Sequence, residues 1–170
     1  NTLPNVDQAV IDERTAQILK PLDMFEEHKG ATTDPAVNPN YIRPTQHIYR
    51  LQKIMDEYAG GVSAQFQTND KLMERGLELL AFLKEDSDNL AAENLHELMR
   101  SWESIHRMFQ AESHVRSMLF REETRWPGYY FRNDKPSMDN DNWLAFCNCK
   151  YDRTTGEWEM IKRPVKYITQ

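Results

Sequence analysis

The run Ala111-Glu112-Ser113-His114-Val115-Arg116-Ser117-Met118-Leu119-Phe120-Arg121-Glu122-Glu123-Thr124-Arg125-Trp126-Pro127-Gly128-Tyr129-Tyr130-Phe131-Arg132 decides the fold, because a helical pattern ends inside it and an extended one follows. Ala111, Val115 and Met118 keep to one helix face. Arg121, Glu122, Glu123, Arg125 and Arg132 then gather around a Trp-Pro-Gly turn, and Tyr129, Tyr130 and Phe131 are consecutive aromatics. A solvated surface has no need of the rings, and a plain core has none of the arginines. The mixture predicts a junction between packed surfaces.

Working back from that run, Leu95, Leu98, Trp102, Ile105 and Phe109 form the first apolar stripe of a helix expected from about Ala92 to Glu123, on the order of 45 Å long. Met99, Met108 and Leu119 widen it. A helix opening near Thr68-Asn69-Asp70 carries Leu72, Leu79, Leu80 and Leu83, with Gly76 on the same side as a point of close approach, and Asp86-Ser87-Asp88-Asn89 marks its stop. Pro44 opens another, with Ile48, Leu51, Met55 and Tyr58 on one face and Gly60-Gly61 at its end. The first helix, capped by Asn5, presents Ile11, Ile18, Leu22 and Phe25, and Pro21 predicts a kink or division near Lys20. Between them, residues 29–43 read as a long polar loop that has to lie on another surface to be ordered.

Beyond Arg132 the period changes. Trp143, Ala145 and Cys147 alternate with Leu144, Phe146 and Asn148, a turn is expected at Tyr151-Asp152-Arg153-Thr154-Thr155-Gly156, and Trp158, Met160 and Ile161 follow, which predicts a β-hairpin. The expected fold class is mainly α: an antiparallel helical bundle of three long helices plus an N-terminal helix, then an extended C-terminal segment with a hairpin. The expected divisions are 1–43, 44–132, and 133–170 packed on the bundle.

Composition narrows the function classes. With 21 basic against 27 acidic residues and a net charge of −6, the chain lacks the basic footprint for nucleic acid or an anionic membrane. No apolar run approaches a membrane span, and Asn1-Thr2-Leu3-Pro4 lacks a signal-peptide profile. A first residue other than Met suggests processing or a piece of a longer polypeptide. Cys147 and Cys149 form a C-x-C too small for a four-ligand zinc site, and reduced thiols fit a cytoplasmic location.

No two of the glycines Gly30, Gly60, Gly61, Gly76, Gly128 and Gly156 stand two apart, so neither the dinucleotide fingerprint nor a P-loop is present. His106 and His114 lie eight apart, outside the spacing that lets two imidazoles share a metal, and His28, His47 and His96 read as ordinary polar or interface residues. No Ser or Cys has His and carboxylate partners at a recognisable spacing. Glu112 and Arg116 stand i, i+4, suiting either a local ion pair or a partner contact. Arg121, Arg125 and Arg132 suit a solvated cluster, an internal network with Glu122 and Glu123, or anchors for a neighbouring domain. Trp126, Tyr129, Tyr130 and Phe131 divide between core and interface. The candidate interface set is therefore Arg116, Arg121, Glu123, Arg125, Trp126, Tyr129, Tyr130 and Arg132; no catalytic, cofactor-binding or metal residue is assigned.

The run Arg121 to Arg132, followed by Asp139-Asn140-Asp141-Asn142-Trp143, resembles the carboxy-terminal region of the flavoprotein alpha subunits of dissimilatory adenylylsulfate reductases. Residues 44–61 and 151–158 share the likeness, which covers nearly the whole chain. Wider relatives are the flavoproteins of succinate dehydrogenase, fumarate reductase and L-aspartate oxidase, where the turn reads R-E-x-S-R-G-A-H. Here Thr124 replaces the Ser, and Trp126-Pro127-Gly128-Tyr129 replaces Gly-Ala-His. The resemblance implies a parent oxidoreductase that interconverts adenylylsulfate with AMP and sulfite. It implies FAD in the parent subunit and [4Fe-4S] clusters in an iron–sulfur beta subunit, with this chain inactive alone and the rest of the alpha subunit and the beta subunit as its partners. A dicarboxylate-type flavoprotein and a free-standing helical interaction module are the alternatives.

Overall fold

The computed structural model describes residues 7–125 and 130–166. It is mainly helical, with two small two-stranded sheets. Helix α1 spans Gln8–His28, and Asp7 caps it by accepting a hydrogen bond from the Ala9 amide at 3.0 Å. The expected cap, Asn5, lies outside the described residues. Pro21 does not divide the helix. The residue is buried, and its carbonyl accepts from the Ala92 amide at 2.7 Å, so packing holds the turn where one internal bond is lost.

Helix α2 spans Pro44–Tyr58 as its proline and apolar spacing dictate. Gly60 takes φ 78° just past its end, a conformation cheap only for glycine. Helix α3 spans Asp70–Asp86, and the Asn69 side chain accepts from the Leu72 amide at 3.0 Å. At Gly76 an added Cβ would stand 3.1 Å from the Tyr58 Cβ, so the glycine marks a close approach of α2 and α3.

Helix α4 spans Leu95–Phe120, shorter at both ends than its apolar pattern suggests. Asn94 accepts from the Glu97 amide at 3.1 Å, which fixes the start. Its buried face is also displaced from the expected stripe. Leu98, Ser101, Ser104, Met108, Ala111, Val115 and Met118 point inward, whereas Leu95 is 73% exposed and Met99 58%. The displacement follows from His47, fully buried, whose Nδ1 lies 2.6 Å from the Ser104 Oγ and whose Nε2 donates to the Leu83 carbonyl at 3.2 Å. Small hydroxyl residues leave room for that ring.

Strand β1 (Gln67–Thr68) pairs in parallel with β2 (Phe131–Arg132). Gln65 and Phe66 enter β1 at φ 54° and 59°, an uncommon conformation for such side chains, held where the Phe131 amide donates to the Phe66 carbonyl at 2.9 Å. Trp143 is not in a strand. It ends a one-turn helix α5 (Asn140–Trp143) capped by Asp139, and it is buried with its ring edge against Phe120. The hairpin begins two residues later: β3 (Ala145–Tyr151) runs antiparallel to β4 (Trp158–Pro164). Gly156 turns at φ 76°, and Asp152 accepts from the Thr154 amide at 2.7 Å. Phe109 of α4 meets the hairpin rings Tyr151 and Trp158 at centroid distances of 5.0 and 4.9 Å.

The described chain falls into two compact units, one from residues 7–49 and 83–106, the other from residues 50–82 and 107–166. In the first, Phe25, Tyr41 and Ala91 form a small core. Among the described residues no helix is long and apolar enough to cross a membrane.

Candidate functional site

The segment after α4 is irregular yet buried, so its backbone groups must find side-chain partners. Glu123, with no exposed surface, is the first centre of that network. Its carboxylate accepts from the Arg121 guanidinium, from Arg125 at 2.6 and 3.0 Å, and from the Asp139 amide at 2.8 Å. Burial by itself would raise its pKa; the hydrogen bonds from Arg125, Asp139 and Arg121 outweigh that and hold it below the ordinary glutamate value. Arg121 also donates to the carbonyls of Trp143 (3.0 Å) and Ala145 (2.7 Å), tying α5 and β3 to the end of α4. Arg125 reaches the Asn140 Oδ1 at 3.1 Å.

Arg132 is the second centre and is likewise fully buried. It donates to both Asp134 oxygens at 2.9 and 2.8 Å, to Asp70, and to the carbonyls of Met118 (2.9 Å) and Arg121 (3.2 Å). The last two contacts satisfy backbone acceptors at the end of α4, which ends the helix before the sequence pattern does. Burial opposes the charge, but Asp134, Tyr130 and Asp70 raise the Arg132 pKa further. The hydrogen bond from Arg132 in turn pulls Asp134 down to about 2. Lys135 closes the cluster on Asp70 at 2.6 Å. Thr124, buried between the two centres, accepts from the Arg132 amide at 2.9 Å and donates to the Lys135 carbonyl at 2.8 Å.

The structure thus brings Arg121, Glu123, Arg125 and Arg132 into one neighbourhood. Arg116 belongs to a local contact, bonding Glu112 at 2.9 and 2.8 Å with its guanidinium 5.9 Å from the Trp158 ring centre. The buried Tyr130 hydroxyl lies near Arg132 and makes no hydrogen bond of ordinary geometry among the described residues, and burial pushes its pKa up to about 12. Trp126 and Tyr129 lie outside the described residues. Asp70, Asp134, Lys135 and Asp139 escaped the sequence reading. Asp70 looks like a helix opener, and only the alternation of charge over Arg132, Asp134 and Lys135 hinted at the rest. Chemically the arrangement holds charge in place; among the described residues no group of three or more His, Cys, Asp or Glu could hold a metal ion.

The family model described as "Fumarate reductase flavoprotein C-term" matches residues 48–170. The chain belongs to that family. Within it, the chain is 42% identical over 157 residues to the adenylylsulfate reductase subunit alpha of Megalodesulfovibrio gigas, covering 92% of this chain and 24% of that subunit. It matches the structure of adenylylsulfate reductase from Archaeoglobus fulgidus with a TM-score of 0.96 and 49% identity, over 99% of this chain and 26% of that one. The E. coli quinol fumarate reductase shares the fold at a TM-score of 0.67 and 20% identity, over 98% of this chain and 27% of that one. The chain spans about a quarter of the length of these relatives. Of the glycines, Gly61 is no cradle for the pyrophosphate of the flavin that this family implies. Gly61, of the adjacent pair, lies where an added Cβ would be 2.4 Å from the Asp56 Cα and carboxylate, an acid where a pyrophosphate would need donors.

Proposed function

We propose that this chain is the carboxy-terminal part of an adenylylsulfate reductase alpha subunit, a flavoprotein that with its iron–sulfur beta subunit takes adenylylsulfate and two electrons to AMP and sulfite. The observation that carries this reading is the 49% identity sustained over 99% of the chain. Likeness to the fumarate reductase is 20% identity and shows the fold alone. In this reading the FAD and the reacting groups lie in the other three quarters of the polypeptide. The chain's own helices form an antiparallel bundle, and the loop from Arg121 to Arg132, together with residues 29–43, meets the flavoprotein body.

The ion-pair network supports that role by fixing a loop that a helix or sheet does not fix. Two bidentate arginine contacts, Arg125 on Glu123 and Arg132 on Asp134, hold the described residues that flank Trp126 to Tyr129 in sequence. Tyr130 borders the same region, and Arg116, beside Trp158, forms a separate part of the proposed contact. No residue of this chain is assigned a catalytic role, and the 170-residue chain alone is expected to be inactive.

The test is an assay of the full polypeptide with its iron–sulfur subunit. Reduction of an artificial electron acceptor that requires both AMP and sulfite is expected. Succinate-dependent reduction without AMP would transfer the chain to the dicarboxylate oxidoreductases, and neither activity would leave a helical interaction module.

A further inference from the structure

We propose that one face of the C-terminal hairpin, carrying Cys147, Cys149 and Met160, is a binding site for a soft monovalent metal ion of the copper(I) class. The two cysteines of the chain both stand here. Strands β3 and β4 pair in a register that sets Cys149 opposite Met160 and Cys147 opposite Lys162. Opposed residues share a face, and residues two apart on a strand share it too, so both thiols and the thioether project from the same side. That side is turned to α4. Tyr151 and Trp158, on the same face, pack on Phe109, and one helical turn further along, Ser113 brings its hydroxyl 2.9 Å from the Cys149 sulfur. All three sulfur residues are half-buried, neither sealed in a core nor spread on open surface.

Spacing chooses between the reactions open to the thiols. Residues two apart on a strand stand about 6.6 Å apart, whereas a disulfide needs Cβ atoms about 3.5–4.5 Å apart, so oxidation of this pair would require β3 to buckle. A metal ion asks for less. With metal–sulfur bonds of about 2.3 Å it holds two sulfurs up to about 4.6 Å apart, which two side chains leaning together reach from a regular strand. Met160 is nearer still, since directly opposed Cβ atoms lie about 4.5–5.5 Å apart. The donor set names the ion. Among the described residues no group of three or more His, Cys, Asp or Glu gathers around a metal position, which leaves zinc and the hard cations without a ligand shell. Thiolates with a thioether select copper(I), which accepts a small shell of soft ligands. Binding exchanges protons for the ion: Cu⁺ displaces both thiol protons to solvent, Cu–S bonds form, and no oxidation state changes. The bis-thiolate complex carries one negative charge. Lys162, on the same face with its amine 4.0 Å from the Trp143 ring centre, brings the compensating positive one. The Ser113 hydroxyl donates to the Cys149 thiolate, an outer contact that fixes that ligand.

The experiment offers copper(I), buffered anaerobically by bicinchoninate, to the full polypeptide in its assembled enzyme and to the same protein carrying Cys147→Ser and Cys149→Ser. The parent is expected to take up one more ion per polypeptide than the paired variant, with sulfur alone around that extra copper in its X-ray absorption spectrum. Ser113→Ala and Met160→Leu keep both thiols and should each weaken binding by about tenfold. Amide hydrogen exchange over residues 145–164 monitors the hairpin in every variant, so a weakening in these two with exchange unchanged supports the site even where the paired substitution unfolds the strands. Equal uptake by the parent and a folded paired variant overturns the proposal. So does full uptake by either single Cys→Ser variant, and so does parent affinity in both Ser113→Ala and Met160→Leu. Copper found only in a species of doubled mass bridges two chains through one thiol each and overturns it as well. The hairpin site does not rest on the enzyme reading, and neither succinate-dependent nor AMP- and sulfite-dependent activity alters its outcome.

Discussion

Two buried polar centres in this molecule solve the same problem by different means. His47 sits between helices, with one ring nitrogen on the Ser104 hydroxyl and the other on the Leu83 carbonyl. Its neighbourhood is helical, where most backbone groups pair within the helix, and the carbonyl that the imidazole meets, Leu83, is one of the last four of α3. Arg132 sits under an irregular loop, where carbonyls at the end of α4 and two aspartates all require donors. A guanidinium supplies five N–H groups in a rigid fork. Where secondary structure does not pair the backbone, buried charge replaces it, and the segment becomes more dependent on one side chain.

That contrast is broken most directly at Arg132. Arg132→Ala leaves Asp70 and Asp134 with Lys135 as the one cation of this cluster still beside them and strips donors from the Met118 and Arg121 carbonyls. The expected loss is about 3–5 kcal/mol in denaturant unfolding, with Arg132→Lys recovering less than half because an ammonium lacks the fork. A loss under about 1 kcal/mol would mean that the loop does not depend on this side chain. His47→Ala should cost less, about 2–3 kcal/mol, from a cavity plus an unpaired Ser104 hydroxyl and Leu83 carbonyl. If the two costs came out reversed, the helix-to-helix centre would be the more demanding one and the reading of the contrast would fail.

The same difference explains what could be read from the sequence. Helix α2 starts at Pro44 and ends at Tyr58 as its pattern requires, and Gly76 meets Tyr58 as expected, because both follow from local spacing. The hairpin follows from alternation on either side of Asp152 and Gly156. The buried face of α4 could not be read that way. Ser104 looks like a surface residue until His47 lies against it, and Leu95 and Met99 look like core until they are seen exposed. The parallel pairing of Gln67–Thr68 with Phe131–Arg132 joins segments more than sixty residues apart and leaves no local mark. Glu123 and Arg132 were identified as candidates from the crowding of charge and rings, but their inward orientation depends on Asp70, Asp134 and Asp139, which the spacing of the loop does not announce.

The finest probe of the charged centre is pH. Asp134 has its pKa depressed to about 2 by the hydrogen bond from Arg132, below the ordinary aspartate value of 3.8. A depressed carboxylate binds fewer protons folded than unfolded, so its contribution is fully present above pH 4 and is lost as pH falls through about 2. Unfolding free energy measured between pH 5 and pH 2 should therefore decline with an acid limb centred between those two pKa values. In Arg132→Ala the largest cause of the depression is gone while burial still disfavours the anion and only the Asp70 amide still donates to it, so the Asp134 part of that limb should shrink and the decline become shallower. The His47 variant leaves Asp134 and its partners untouched and should keep the Asp134 part of that limb. Parallel slopes in all three proteins would show that Asp134 is not held by Arg132 in the folded state, whereas a shallow limb confined to Arg132→Ala separates a centre built on paired charges from one built on an imidazole and a hydroxyl.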